Sequence, residues 1–239
     1  MQLSAYAYTN RGGRDHNEDS LRASAEQGIF VLADGLGGHR CGEVASQVAV
    51  DAIFTGMAQA EALEEASLLD LFRSANEELL RRQAQPGQGE MRTTAVALKL
   101  AGSTAVWAHI GDSRLYRFSN GELAGVTADH SVTYRKFLGG EISYMDVYHD
   151  DDRSRLLRVL GKEPCRPEAG QAAVSPGDAF LLCSDGFWEF VYNEEIQADL
   201  CRARTPEEWA EGMLLRHIRR TPPGSDNFSL ITVFVEACG

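Results

Sequence analysis

Long apolar runs along the chain are cut by glycine-rich breaks, and several of those breaks carry an aspartate. The run IFVLA closes a segment, residues 27–33, that reads as a strand buried on both faces, and Asp34 follows at once. Residues 42–57, GEVASQVAVDAIFTGM, space Val44, Val48 and Ile53 as a helix does. A second helix is predicted over 63–83, with Leu68, Leu71, Phe72, Ala75 and Leu79 on one face. The turn-rich QPGQGE at 85–90 ends that pattern. Strands are predicted at 94–100, 105–110 and 114–118. The short AGS and GDS connections and the Asn120-Gly121 turn are hairpin signals, so the three read as an antiparallel meander. Residues 131–149 show no clear period. Beyond the Pro176-Gly177-Asp178 turn, 179–183 is another apolar strand. An amphipathic helix capped by Thr205 is predicted over 206–219, and SLITVFV at 229–235 is a last strand. Antiparallel strands with long helices inserted, without strict strand–helix alternation, predict an α+β layered fold. No repeat, low-complexity tract or long linker divides the 239 residues, so one domain over 1–239 is expected.

Composition narrows the partners. At 44% hydrophobic the chain can bury a full core. Its formal net charge of −12 argues against nucleic acid and anionic membrane surfaces, which are bound mainly through Lys and Arg. No apolar run approaches the roughly 18 residues of a bilayer span, and the N-terminal residues lack a basic patch followed by an apolar core. A cytoplasmic protein is expected. Five scattered cysteines without CxxC, and histidines without HExxH, set Cys/His zinc chemistry aside.

The aspartates change the picture further. Asp34 follows IFVLA, Asp112 follows VWAHIG, Asp185 follows FLLCS, and Asp226 stands just ahead of SLITVFV. A single strand-end aspartate reads as a turn or cap residue. Four in the same setting, three of them beside glycine, point to convergence if the strand ends converge. Clustered carboxylates repel unless protonated or bridged by cations. Oxygen-only donors select Mg²⁺, Mn²⁺ or Ca²⁺, and ligands dispersed along the chain suit a Mg/Mn pair better than a contiguous calcium loop. Such a pair lowers the pKa of a shared water and clamps an in-line phosphoryl displacement. A second cluster, Arg14-Asp15-His16-Asn17-Glu18-Asp19, adds a guanidinium suited to phosphate and two more carboxylates; alone it could equally be a solvated loop.

The segments RDHNED, DGLGGH with GEVAS, RTTAVAL, GDSRLYRF, TADHS, RSRLLRVLG, LLCSDGFWEFV and SDNFSLITV occur in this order over nearly the whole chain. Together they resemble the metal-dependent protein phosphatases of type 2C (PPM) in their bacterial serine/threonine form. The resemblance implies a four-layer α-β-β-α sandwich, two antiparallel sheets flanked by helices, with two Mn²⁺ or Mg²⁺ ions in a cleft at one edge. It implies that Asp34 bridges both ions and that the Gly35 carbonyl binds the second. Asp185 and Asp226 would bind the first ion, Glu18 would act on the second, and Asp112 with Asp185 would form the third-ion site of bacterial members. Arg14 would bind the substrate phosphate, with Asp19 and Asn227 in support. The implied reaction is hydrolysis of phosphoserine or phosphothreonine by a metal-activated water, without a phosphoenzyme; no nucleophile loop contradicts that.

Two departures stand out. Some members place a histidine two residues after the bridging aspartate, where it protonates the leaving alkoxide. Here that position is Leu36, so His39 and a metal-bound water are the candidate acids. The variable flap, around 131–153, carries LGGEISYMDVYHDDDRS, with Ser154 where many members have Asn. Its acids read as a solvated loop or as a selector of basic phosphopeptides; on the second reading, reversing Asp150–Asp152 to lysine alters the preference between basic and acidic phosphopeptides. SDGFWEFV resembles phosphatases that oppose a Hanks-type kinase, including those controlling type VI secretion through a forkhead-associated protein. The alternatives are a catalytically weak scaffold of the same fold and a phosphatase of an anti-sigma antagonist. Retention of all four aspartates weighs against the scaffold.

Overall fold

The computed structural model describes residues 2–36, 41–60, 64–85 and 89–237. Strands β1 (Gln2–Asn10), β2 (Asp19–Ser24) and β3 (Ile29–Leu36) precede two long helices, α1 (Cys41–Gln59) and α2 (Glu65–Gln83). Five strands follow: β4 (Arg92–Thr93), β5 (Ala95–Ala101), β6 (Thr104–Ile110), β7 (Arg114–Ser119) and β8 (Glu122–Val126). The short helix α3 (Val132–Leu138) and a 3₁₀ turn (Met145–Tyr148) lie in the flap. Then come β9 (Glu168–Ala173), β10 (Ala179–Cys183), α4 (Asp185–Trp188), α5 (Asn193–Leu200), α6 (Pro206–Arg220) and β11 (Phe228–Glu236).

The strands form two antiparallel sheets, ordered β1-β11-β10-β7-β8 and β2-β3-β5-β6-β9, with β4 paired to β3. Their stacking explains the unbroken apolar runs. Successive side chains of a strand point to opposite faces, and in β3 both faces are covered. Ile29, Val31 and Ala33 pack with Val48, Ile53, Leu68 and Phe72 of α1 and α2. Phe30 and Leu32 pack between the sheets with Phe180, Leu182, Ile231 and Val233. In β10 the alternate residues Leu181 and Cys183 face Trp188, Trp209 and Met213 of the opposite helical layer. The result is the expected four-layer α-β-β-α sandwich. Thr205 caps α6, its hydroxyl accepting from Glu208 N at 3.1 Å.

The meander is corrected. β5 and β6 do pair across the AGS turn, and β7 and β8 pair around Asn120-Gly121. β6 and β7, however, lie in different sheets. The GDS segment is a crossing from one sheet to the other: Gly111 adopts φ +100°, and a Cβ there would meet Thr94 Cγ2 at 2.6 Å. A glycine-bearing tight connection serves a sheet switch as readily as a hairpin, and burial of β6 and β7 by different layers decides between them. Val44, expected on the buried face of α1, is 37% exposed. The predicted strand at 27–33 runs instead to Leu36, which places Asp34 inside β3.

Candidate metal centre and phosphate cleft

The register of β2 on β3 sets Asp19 directly opposite Asp34. Both faces of β3 are packed, so its backbone is rigid where Asp34 leaves it. Asp34 O accepts from Thr94 N at 2.8 Å and Thr93 Oγ1 at 2.7 Å, and Asp34 N donates to Thr94 Oγ1 at 3.0 Å. Gly35 N donates to Glu18 O at 3.1 Å, fixing Glu18 beside it. The glycines are needed for clearance. A Cβ on Gly35 would lie 2.2 Å from Gly42 O, and one on Gly42 would lie 2.7 Å from Glu18 Oε2. Gly35→Ala is therefore expected to push the start of α1 away from β3 and cost about 1–3 kcal/mol; urea denaturation at unchanged stability would show that the helix can yield.

The other aspartates arrive from different layers at the same sandwich edge. Asp112 lies in the sheet-switching segment after β6, and Trp188 Nε1 donates to its carbonyl at 2.9 Å. Asp185 opens α4 directly beyond β10. Asp226 precedes β11, its Oδ1 accepting from Asn227 N at 2.9 Å. Asn227 holds the loop after β1: its Oδ1 accepts from Glu18 N at 2.8 Å, and its Nδ2 donates to Arg11 O at 2.8 Å and His16 O at 2.9 Å. Arg14 Nη2 donates to Asp226 Oδ2 at 3.0 Å, half-exposed at the rim. The predicted set Arg14, Glu18, Asp34, Gly35, Asp112, Asp185, Asp226 and Asn227 lines one cleft of about 710 Å³. Asp19 lies buried behind it. His39 lies outside the described residues. Sequence reasoning assigned no role to the lining residue Leu156, or to the Ser184 hydroxyl that donates to Asp19 Oδ2 at 2.8 Å.

The electrostatics suit a hard divalent cation. Burial raises the carboxyls of Asp34, Asp112 and Asp185, and the negative charges of their neighbours raise them further. Asp185 is among the negative charges that raise Asp34. Asp19 is pushed up to about 7 by burial, against the hydrogen bonds of Ser229 and Ser184. Its Oδ1 is buried without a hydrogen-bond partner. Crowded carboxylates, oxygen donors alone and an orphaned acceptor are the donor chemistry of Mn²⁺ or Mg²⁺.

A different group, His109, His130 and Glu168, also brings its donor atoms within 4.8 Å of one another. It is a structural brace. The imidazoles are stacked at 4.6 Å and 16°, so their in-plane lone pairs run side by side. His130 Nδ1 accepts from Gly111 N at 3.1 Å, which steadies the segment carrying Asp112. Arg158 lies 3.2 Å from His130 Nε2, where a cation would have to enter. The flap is tied down as well. Lys136 Nζ lies 2.9 Å from Asp150 and 2.8 Å from Asp152, which also pairs with Arg155 at 2.9 Å. Arg153 pairs with Glu189 at 3.0 Å, joining the flap to the end of α4.

The fold of this chain is similar to those of solved serine/threonine phosphatases. The Mycobacterium tuberculosis serine/threonine phosphatase PstP/Ppp is 31% identical with a TM-score of 0.89, covering 99% of this chain and 100% of that one. The PstP catalytic domain in complex with two manganese ions is 30% identical, TM-score 0.87, with 99% of each chain covered. PppA, described as a key regulatory component of T6SS in Pseudomonas aeruginosa, is 27% identical, TM-score 0.83, with 98% of each covered. Two stacked sheets, flanking helices and a carboxylate cleft at the sandwich edge thus define a serine/threonine phosphatase of the PPM class. Residues 9–214 match the family described as Protein phosphatase 2C. The serine/threonine phosphatase stp of Listeria monocytogenes is 33% identical over 236 residues, 94% of this chain and 93% of that protein. The chain belongs to the protein phosphatase 2C family.

Proposed function

We propose that this chain removes phosphate from phosphoserine and phosphothreonine of proteins at a centre of two Mn²⁺ or Mg²⁺ ions. The observation that carries this reading is the meeting of Asp34, Asp112, Asp185 and Asp226, from separate elements, in one cleft with Arg14 at its rim. Asp34 would bridge the ions, with Asp185 and Asp226 on the first and Gly35 O and Glu18 on the second; Asp112 with Asp185 would hold a third. Bound there, the ions supply Lewis acidity, lowering the pKa of a water and neutralising charge on the phosphoryl oxygens. Arg14 leaves its contact with Asp226 to grip the phosphate through its guanidinium fork. Asn227 and the buried Asp19 keep the loop and the ligands in register. Support for manganese comes from the PstP domain, which is described with two such ions.

The same reading places the protein in the cytoplasm, as one domain, reversing a Hanks-type serine/threonine kinase. No helix of the described residues is long and apolar enough to cross a membrane. Likeness to PppA favours type VI secretion control; a forkhead-associated protein as a partner is part of the same proposal and rests on the resemblance of SDGFWEFV alone. The test is release of inorganic phosphate from a phosphothreonine peptide. Mn²⁺ or Mg²⁺ should support turnover and a chelator should stop it; turnover that persists in chelator would sink the metal mechanism.

A further inference from the structure

If the cleft floor is committed to metal ligands and Arg14 to phosphate, choice among phosphoprotein segments falls to the remaining wall residues. These are Asp15 and His16 on the loop after β1, Leu36 at the end of β3, and Ser154 and Leu156 on the segment leaving the flap. Leu36, Ser154 and Leu156 are uncharged. Asp15 is exposed and has no ion-pair partner among the described residues. Among the flap acids, Glu141, Asp146 and Asp151 are also without an ion pair among the described residues but do not line the cleft, while Asp150 and Asp152 are paired. Lys136 and Arg155 set two positive charges against the two negative charges of Asp150 and Asp152. Thr133 Oγ1 adds a donor to Asp150 at 3.0 Å. These contacts tie α3 to the 150–155 segment of the flap, and the charge of Asp150 and Asp152 is spent internally.

We propose that Asp15 determines specificity, selecting phosphorylated segments that carry Lys or Arg next to the phosphoresidue. The inference rests on the phosphatase reading above and names the substrate class of that site. Neighbouring residues stand about 3.8 Å apart in any extended chain. A phosphate held by Arg14 therefore brings the next side chain of the substrate within reach of the carboxylate adjoining Arg14. The net charge of −12 acts in the same direction, raising the encounter rate of cationic segments. Once a substrate's basic side chain is docked, Asp15 offers it a carboxylate that no residue of the described chain already holds.

Two phosphothreonine peptides, one with Lys on both flanks and one with Glu, test this with Mn²⁺ present. Wild type is expected to favour the Lys peptide in kcat/KM by about three- to tenfold, since exposed charge pairs are each worth a few-fold. Asp15→Asn should reduce that ratio, Asp15→Lys should abolish or invert it, and 0.5 M salt should compress it toward one. Asp151→Lys, an exposed change in the flap, should leave the ratio as in wild type. Equal hydrolysis of both peptides by wild type, or an unchanged ratio in Asp15→Lys, overturns the inference and leaves the phosphatase reading standing. Failure to hydrolyse either peptide overturns both. Both positions are exposed, so folding of the variants is expected and is checked by circular dichroism.

Discussion

Asp185→Asn is expected to lower kcat about 10³-fold while raising the melting temperature of the chelated protein. The two effects have one cause. Asp185 is buried at the start of α4, where burial penalises its charge and Asp226 repels it. Its own charge raises Asp19, Asp34, Asp112 and Glu189, the last pushed up to about 7. On the proposed reading that charge is a ligand once cations bind; removing it would forfeit transition-state stabilisation of several kcal/mol, and about 4 kcal/mol is 10³ in rate. With cations stripped, the same charge only repels, so the isosteric amide stabilises by on the order of 1 kcal/mol. The pH dependence has a definite sign. Asp19 titrates near 7 in the fold against an ordinary value of 3.8, so the folded state holds the proton more tightly. This contribution to stability is full below about pH 4 and is lost as pH rises towards 7. The chelated protein should therefore melt lower at pH 8 than at pH 5, with a shallower slope in Asp185→Asn and none once Mn²⁺ is added. Scanning fluorimetry at both pH values reads all three; a variant that loses activity and stability together would show Asp185 to be a fold residue.

The sequence exposes the carboxylate cleft because its aspartates obey a local rule. Each aspartate follows or precedes an apolar run that the fold buries on both faces, so β3, β10 and β11 were visible together with their carboxylates. The edge strands were not. β9, EAGQAA, pairs on one side only and carries little apolar surface, and β2 begins at Asp19 inside a charged motif. The GDS crossing was misread for a related reason: its glycine signals a tight connection, while the choice of sheet is set by what later packs on β6 and β7. Long-range pairs escape sequence reasoning altogether. Asp150 and Asp152 read as free acids because Lys136 meets them only through the fold of α3 against the flap. Arg14 was legible as a cation near phosphate chemistry, but its contact with Asp226 crosses 212 residues.

Breaking the buried pair of Arg114 and Asp129 is expected to cost about 3–5 kcal/mol, the largest stability loss from a single substitution among the charged residues considered. The two side chains are each 1% exposed. Arg114 Nε donates to Asp129 Oδ1 at 2.8 Å and Nη2 to Oδ2 at 2.6 Å, while Nη1 donates to the Tyr116 hydroxyl at 3.1 Å. The guanidinium lies 3.4 Å over the Trp188 ring. Burial alone would lower the pKa of Arg114, and the carboxylate of Asp129 overrides it, so the arginine stays charged. Arg114→Met leaves a buried carboxylate with no cation, and Asp129→Leu leaves a buried guanidinium with no anion. The double substitution leaves neither, and so should cost less than either single change. Urea denaturation of the three variants gives the cycle; single changes below about 1 kcal/mol would mean that water reaches the pair. The loss should also reach the metal centre. Trp188 ends the helix that Asp185 begins and donates to the Asp112 carbonyl, so the arginine stacked on it clamps the segments carrying Asp112 and Asp185 at once. Arg114→Met should therefore require more Mn²⁺ for half-maximal activity at temperatures where it remains folded, whereas the Gly35→Ala change acts on the opposite sheet and should leave the Asp112 and Asp185 segments clamped.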